Sequence, residues 1–172
     1  MAHAPRPSFL PDPIPRPPAD LSDPADLART VQWLRDRELI SLLPQRYARG
    51  LDLRDFASSR ALFRNDCTVK GSLLEAPIDE YWAGLCPGVE AYEATMHFMG
   101  NQFVAVEPGA DTGHVETYAV AYHMEAAGNG HDDLVMGVRY CDDVARDGDD
   151  WKIVRRVAVP VWVRGPLPRL AD

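Results

Sequence analysis

The chain has 172 residues, of which 46% are hydrophobic and 26% charged, and a formal net charge of −8. That size suits one globular domain with a sizeable core. The acidic balance, without any Lys/Arg run interleaved with aromatics, argues against a nucleic-acid surface. No stretch approaches the eighteen or so apolar residues of a membrane span, and the N-terminus lacks the apolar core of a signal peptide. Cys67, Cys86 and Cys141 are widely scattered, with no CxxC and no Cys/His ligand spacing, so a soluble, cytoplasmic protein with reduced thiols is expected.

Residues 1–25 hold eight of the fifteen prolines. Proline has no amide hydrogen and disfavours helix in the residue before it, so this segment reads as an extended arm. It is expected to be disordered or loosely packed, or to lie across a partner subunit through Phe9, Leu10 and Ile14. The folded domain is assigned to 26–165, and residues 166–172 form a tail.

Helical signals start at Ser22 and Asp23, both N-cap types, followed by Pro24 and the acidic Asp26. Leu27, Val31 and Leu34 recur at helical spacing, and Leu39, Leu42, Leu43 and Tyr47 continue the stripe. Pro44 should kink or split this segment, and Gly50 should end it. A short second helix fits 55–63 with Asp55 as its cap, and a third helical piece fits 78–85. Beyond residue 93 the character changes to β-formers in four runs, 94–106, 114–126, 133–145 and 151–163. Turn-rich stretches at 107–113, 126–132 and 146–150 separate them, so antiparallel hairpins are expected. A first strand near 67–71 pairs elsewhere in the same sheet. Helices followed by a curved antiparallel sheet give an α+β order.

Two short segments carry the chemistry. RYARGLDLRD (46–55) places Asp52 just past a helix-ending glycine, and MHFMGNQ (96–102) places His97 in an apolar run that ends at Gly100 and Asn101. A carboxylate beside a histidine fixes its tautomer and raises its basicity, and an imidazole with an ordinary pKa near 6.5 suits a base at neutral pH. Gly100 and Asn101 suggest a bulge where a strand lines a cavity. Tyr47, one turn before Leu51, is either core or a phenol donor. Arg139 is a charge in an apolar strand and would need a carboxylate or a ligand oxygen if buried. Of Arg155 and Arg156, strict alternation with Trp151, Ile153 and Val157 turns Arg155 inward. Trp82, Asn101, Tyr118 and His123 complete the candidate substrate contacts. His114 and His131 fall in turn regions, and no histidines stand at metal-ligand spacing. There is no glycine-rich phosphate loop and no GxSxG, so no cofactor or metal is expected.

The order of these pieces resembles the SnoaL-like branch of the nuclear-transport-factor-2-like superfamily over roughly residues 25–163. The resemblance rests on RYARGLDLRD, TMHFMGNQ, ETYAVAYH (116–123) and GVRYCDDVARDGDDWKIVRR (137–156). It implies a cone-shaped α+β barrel, with N-terminal helices packed in a curved, mainly antiparallel sheet around an apolar pocket, assembled as a homodimer or homotrimer. Dehydrochlorinases, scytalone dehydratase and a bile acid dehydratase of this branch are cofactor-free and use an Asp–His pair, and its polyketide cyclases use a comparable acid/base pocket. That pair falls on Asp52 and His97; the bile acid enzyme's tyrosine falls on Tyr47, and the dehydrochlorinase's arginine on Arg155. The leading expectation is therefore a cofactor-independent lyase for a hydrophobic cyclic small molecule, with cyclase or isomerase chemistry on the same pair as the alternative. The rival from another class is a non-catalytic binding or assembly module, in which the pair lies apart or the pocket is filled by side chains.

Overall fold

The computed structural model describes residues 10–11, 14–17, 20–72 and 74–166. Helix α1 runs Pro24–Asp52. Its N-cap, Asp23, accepts a 2.7 Å hydrogen bond from the Ala25 amide, and Pro24 takes the first helical position, where a missing N–H costs nothing. The helix continues through Pro44 instead of splitting there; the ring is buried against the core, so tertiary packing outweighs the one lost ladder bond. Helix α2 (Phe56–Arg60) is capped by Asp55, which accepts from the Ser58 amide. Strand β1 (Phe63–Lys70), a short β2 (Glu75–Pro77) and α3 (Ile78–Glu90) follow. Then come the long strands β3 (Ala94–Val106), β4 (Thr112–Met124), β5 (Leu134–Asp147) and β6 (Asp150–Arg164).

The six strands form one mixed sheet in the order β2-β1-β6-β5-β4-β3. β3 to β6 are an antiparallel meander, while β1 joins β6 in parallel and β2 antiparallel. The sheet is open, with β2 and β3 as its edges, and its concave face receives α1. This is the expected cone-like α+β architecture, without complete closure into a barrel. The buried stripe of α1 is Trp33, Asp36, Ile40, Leu43, Tyr47 and Leu51, at helical spacing. Leu27, Val31 and Leu34, expected inside, are exposed. The true stripe includes an aspartate, and the first turns of α1 carry their leucines away from the sheet.

Bulges on β3 and β6 reset which side chains face inward. Between Met99 and Gln102, β3 gains one residue relative to β4, at the Gly100–Asn101 position singled out from sequence. Between Ile153 and Arg155, β6 gains Val154 relative to β5. A side-chain period of two means that one extra residue inverts the faces beyond it. Trp151 and Ile153 are therefore inward, but so are Arg156 and Ala158, while Arg155 points out. The expectation of an inward Arg155 is corrected on this ground.

Of the proline arm, residues Ile14–Pro17 lie against Thr30, Trp33 and Arg37 of α1 around an open groove of about 560 Å³. Phe9, and most of the tail assigned to 166–172, lie outside the described residues. No described helix is long and apolar enough to cross a membrane. Cys67 and Cys141 are buried and Cys86 half-buried, all as free thiols.

Candidate active site

Asp52 is the last residue of α1. A carboxylate there faces the negative end of the helix dipole, an unfavourable place unless hydrogen bonds compensate. Three do. Asp52 Oδ1 accepts from the Thr95 hydroxyl at 3.0 Å and meets His97 Nδ1 at 2.7 Å, while Oδ2 accepts from the His97 backbone amide at 2.8 Å. Burial pushes the Asp52 carboxyl up, but the bonds from the His97 ring and backbone and from Thr95 outweigh it and hold the group below the usual carboxylate range. With the carboxylate ionised, Nδ1 of neutral His97 carries the proton and Nε2 keeps a lone pair. The His97 side chain is 5% exposed and Asp52 21%, so the contact is largely shielded from water.

His97 lies on the wall of a cavity of about 130 Å³ bounded by α1, α3 and the concave face of β3 to β6. Tyr47, Tyr81, Tyr92, Tyr140 and His123 supply its polar groups; Leu51, Leu74, Leu85, Val89, Ala121, Met136, Val138 and Ala158 supply most of the apolar wall. Burial raises the phenols of Tyr47, Tyr81 and Tyr140, so all three are hydrogen-bond donors at neutral pH. His123 stands 5.7 Å, ring to ring, from His97 and 5.0 Å from Tyr92. Burial, foremost, depresses it to about 4, so it is neutral at pH 7. Its Nδ1 is buried with no protein partner among the described residues.

Behind the tyrosines lies a buried ion pair. Arg156 Nε and Nη2 each donate to Asp142 at 2.7 Å, and both side chains are almost wholly buried. The guanidinium sits 4.2 Å over the Tyr47 ring and 4.7 Å over Tyr140. Burial alone would lower its pKa; the Asp142 carboxylate more than reverses this.

The sequence-predicted residues divide cleanly. His97, Tyr47 and His123 line the cavity, and Asp52 stands behind His97 in contact with its Nδ1. Trp82 packs against Tyr47 and Phe63, outside the cavity lining. Asn101 is exposed on the bulge. Tyr118 and Arg139 face the outer side of the sheet, where Arg139 donates to Tyr118 and lies 3.7 Å from Glu116. Arg155 is also on that side, half-exposed beside Asp143. Neither Arg139 nor Arg155 reaches the cavity, because each falls on the outward parity of its strand. Sequence reasoning missed Thr95 and Arg54 around Asp52, and Tyr140, Asp142 and Arg156 beneath the cavity. An available signal was the paired charge pattern of CDD and VRR on adjacent strands. Among the described residues, no group of three or more His, Cys, Asp or Glu has metal-binding geometry.

A family model described as a SnoaL-like domain matches residues 32–157. No curated protein sequence matches the chain. Among solved structures, a putative scytalone dehydratase from Novosphingobium aromaticivorans superposes with TM-score 0.72 at 22% identity, covering 83% of this chain and 95% of its own. The hexachlorocyclohexane dehydrochlorinase LinA-type3 from Novosphingobium barchaimii superposes with TM-score 0.66 at 13% identity, covering 80% and 94%. An NTF2-like protein with a cystatin-like fold, also from N. aromaticivorans, gives 0.67 at 22%, covering 82% and 92%. At such identities the likeness establishes the fold.

Proposed function

Because the chain belongs to the SnoaL-like domain family, we propose that it is a cofactor-independent lyase, of dehydratase or dehydrohalogenase type, for a compact, uncharged cyclic molecule. The observation that carries this reading is the 2.7 Å Asp52–His97 contact at the wall of an apolar cavity. One water needs roughly 10–15 Å³ of such space, so 130 Å³ fits a one- or two-ring substrate. The lining offers phenols and a neutral histidine but no unpaired charge, which favours an uncharged ligand with oxygen or halogen substituents.

His97 Nε2 takes a proton from carbon, the C–H electrons form the new double bond, and the leaving group departs with its own pair. Asp52 holds the ring in the Nδ1–H tautomer and stabilises the imidazolium. Tyr47 and Tyr140 donate to the leaving oxygen or to an enolate oxygen where charge develops, with the Arg156 cation behind them favouring that negative charge. His123 is a further neutral hydrogen-bonding group. Arg139 and Arg155 have no part in this reaction. General-base catalysis supplies about 10²–10⁴-fold, and positioning in a dry pocket the remainder. The contact and the open cavity weigh against the binding-module reading.

Isomerisation and aldol cyclisation begin with the same proton abstraction. Incubating the protein with a panel of cyclic β-hydroxyketones and halocycloalkanes separates the products: loss of water or hydrogen halide marks elimination, and unchanged mass marks isomerisation or ring closure. His97→Ala should lower turnover at least ~10²-fold with the circular-dichroism spectrum intact; a fully active His97→Ala protein would sink the reading. Self-association as a homodimer or homotrimer belongs to the same proposal. It is supported by Met96, Phe98, Tyr118 and Trp162, which are exposed on the strands of the outer face. Light scattering that finds only monomer at micromolar concentration would remove it.

A further inference from the structure

Arg54 is the single non-glycine residue with positive φ among the described residues, at 60°. It occupies the position just past the C-cap of α1, where the Arg54 amide donates to Leu51 O at 3.1 Å and the Asp55 amide donates to Gly50 O at 2.8 Å. This is the Schellman arrangement, in which glycine is the residue of least strain. An arginine here carries a backbone penalty that the turn alone does not require, and such penalties concentrate at functional sites.

The side chain shows what the arginine does. Its Nη1 donates to Thr95 Oγ1 at 2.8 Å and to Leu51 O at 3.1 Å, and its Nη2 donates to Tyr92 O at 3.2 Å. A guanidinium has donors only, and a threonine hydroxyl has a single proton. Thr95 Oγ1 must therefore accept from Arg54, which commits its own proton to Asp52 Oδ1, 3.0 Å away. That bond joins the two from His97 in fixing the carboxylate. We infer that Arg54 is a positioning residue: by forcing the direction of the Thr95 hydroxyl, it locks Asp52 as an ionised partner of His97 Nδ1 and leaves Nε2 unprotonated toward the cavity. It also ties the Tyr92 backbone, and with it a wall of the cavity, to the end of the helix that carries Asp52.

The inference rests on Asp52 and His97 as the working pair, but its test needs no substrate. In the full-length chain labelled with ¹⁵N-histidine and ¹³C-aspartate, NMR reads the His97 tautomer and the Asp52 titration midpoint directly. Arg54→Gly relieves the backbone strain, so a merely structural turn residue would leave a protein of equal or higher melting temperature and an unchanged site. The expected result is a melting temperature at or above wild type, an Asp52 midpoint moved up toward the usual carboxylate range, and loss of the single Nδ1–H tautomer of His97. Thr95→Val should reproduce both NMR changes, Thr95→Ser should restore the wild-type pattern, and the Arg54→Gly/Thr95→Val double variant should shift no further than either single one. Wild-type tautomer and midpoint in Arg54→Gly, or additive shifts in the double variant, would overturn the relay. If Arg54→Gly does not fold, an unchanged site in Thr95→Val overturns it alone. Failure here leaves proton abstraction by His97 standing, whereas an intact tautomer in a protein without turnover counts against that chemistry and not against the relay.

Discussion

Asp52 occupies a position that the helix itself opposes, and the opposition is met by donors drawn from β3. Replacing it with Asn removes the charge from the negative helix end but also the bonds that hold the ionised carboxylate, so the fold should be somewhat less stable at neutral pH. The amide also presents N–H groups where the ring needs an acceptor, which favours the wrong His97 tautomer. Turnover of Asp52→Asn is expected to fall by about 10²–10⁴-fold, with a modestly lower melting temperature at neutral pH. Because the Asp52 pKa is lowered in the folded chain, its contribution to stability is present above the ordinary carboxylate pKa and is lost as pH falls through the depressed folded value. His123 acts in a higher window. Its folded pKa of about 4 lies below the ordinary histidine value of 6.5, so between those values the unfolded chain takes a proton that the folded chain refuses. Stability should decline as pH falls through that window, by on the order of 2–3 kcal/mol in total. Urea melts from pH 7 to 4 on wild type and His123→Phe test this, and the variant should show a visibly flatter decline. Asp52 and His97 were legible from sequence because each stands beside a local signal, a glycine and a bulge-forming Gly-Asn, although α1 runs past Gly50 to Asp52 instead of ending at the glycine as expected. Arg156 was not, because its direction depends on Val154, an extra residue seen only against the partner strand.

Among the elements, α1 carries the site at one end and is anchored near its middle. Asp36, 2% exposed, receives two bonds from Arg146 at 2.9 and 3.0 Å and one from the Trp151 indole at 3.0 Å. Arg146 is at the end of β5 and Trp151 at the start of β6, so this cluster ties the helix to the hairpin. Burial raises the Asp36 carboxyl, but the Arg146 and Trp151 bonds outweigh that and lower it. Removing one partner of a buried pair leaves an uncompensated charge, commonly at a cost of 3–5 kcal/mol. Arg146 is partly exposed, so Arg146→Leu is expected to cost the lower part of that range, about 3 kcal/mol in urea denaturation; a change below ~0.5 kcal/mol would show that the cluster does not anchor α1. The element order and the four long strands were readable from alternation and turn residues. The orientation of α1 was not, because a buried aspartate interrupts its apolar stripe and two of its partners, Arg146 and Trp151, are more than a hundred residues away in sequence.

For the whole molecule, the decisive property is that the sheet curves over α1 without filling the space between them. Bulges on β3 and β6 set the strand parity that leaves His97 and Arg156 facing inward. The cavity is a consequence of small side chains, Ala121 and Ala158, placed opposite large ones. Ala121→Phe should occupy it, keep the protein folded, and abolish small-molecule turnover, while leaving the Nδ1–H tautomer of His97 unchanged even though its signals shift beside the new ring. Composition and resemblance gave the α+β class and an apolar pocket, but not which side chains line it, since strand parity beyond each bulge is set by pairing between distant segments.

The central claim is that His97 removes a proton from carbon. Solvent exchange measures it directly: cyclic ketones incubated with the protein in deuterium oxide are followed by proton NMR at the carbon next to the carbonyl. Wild type should catalyse loss of that proton signal for at least one ketone small enough for the cavity, and His97→Ala should reduce the exchange to the uncatalysed rate. Exchange of equal rate in His97→Ala, or no catalysed exchange across the panel by wild type, would contradict the claim.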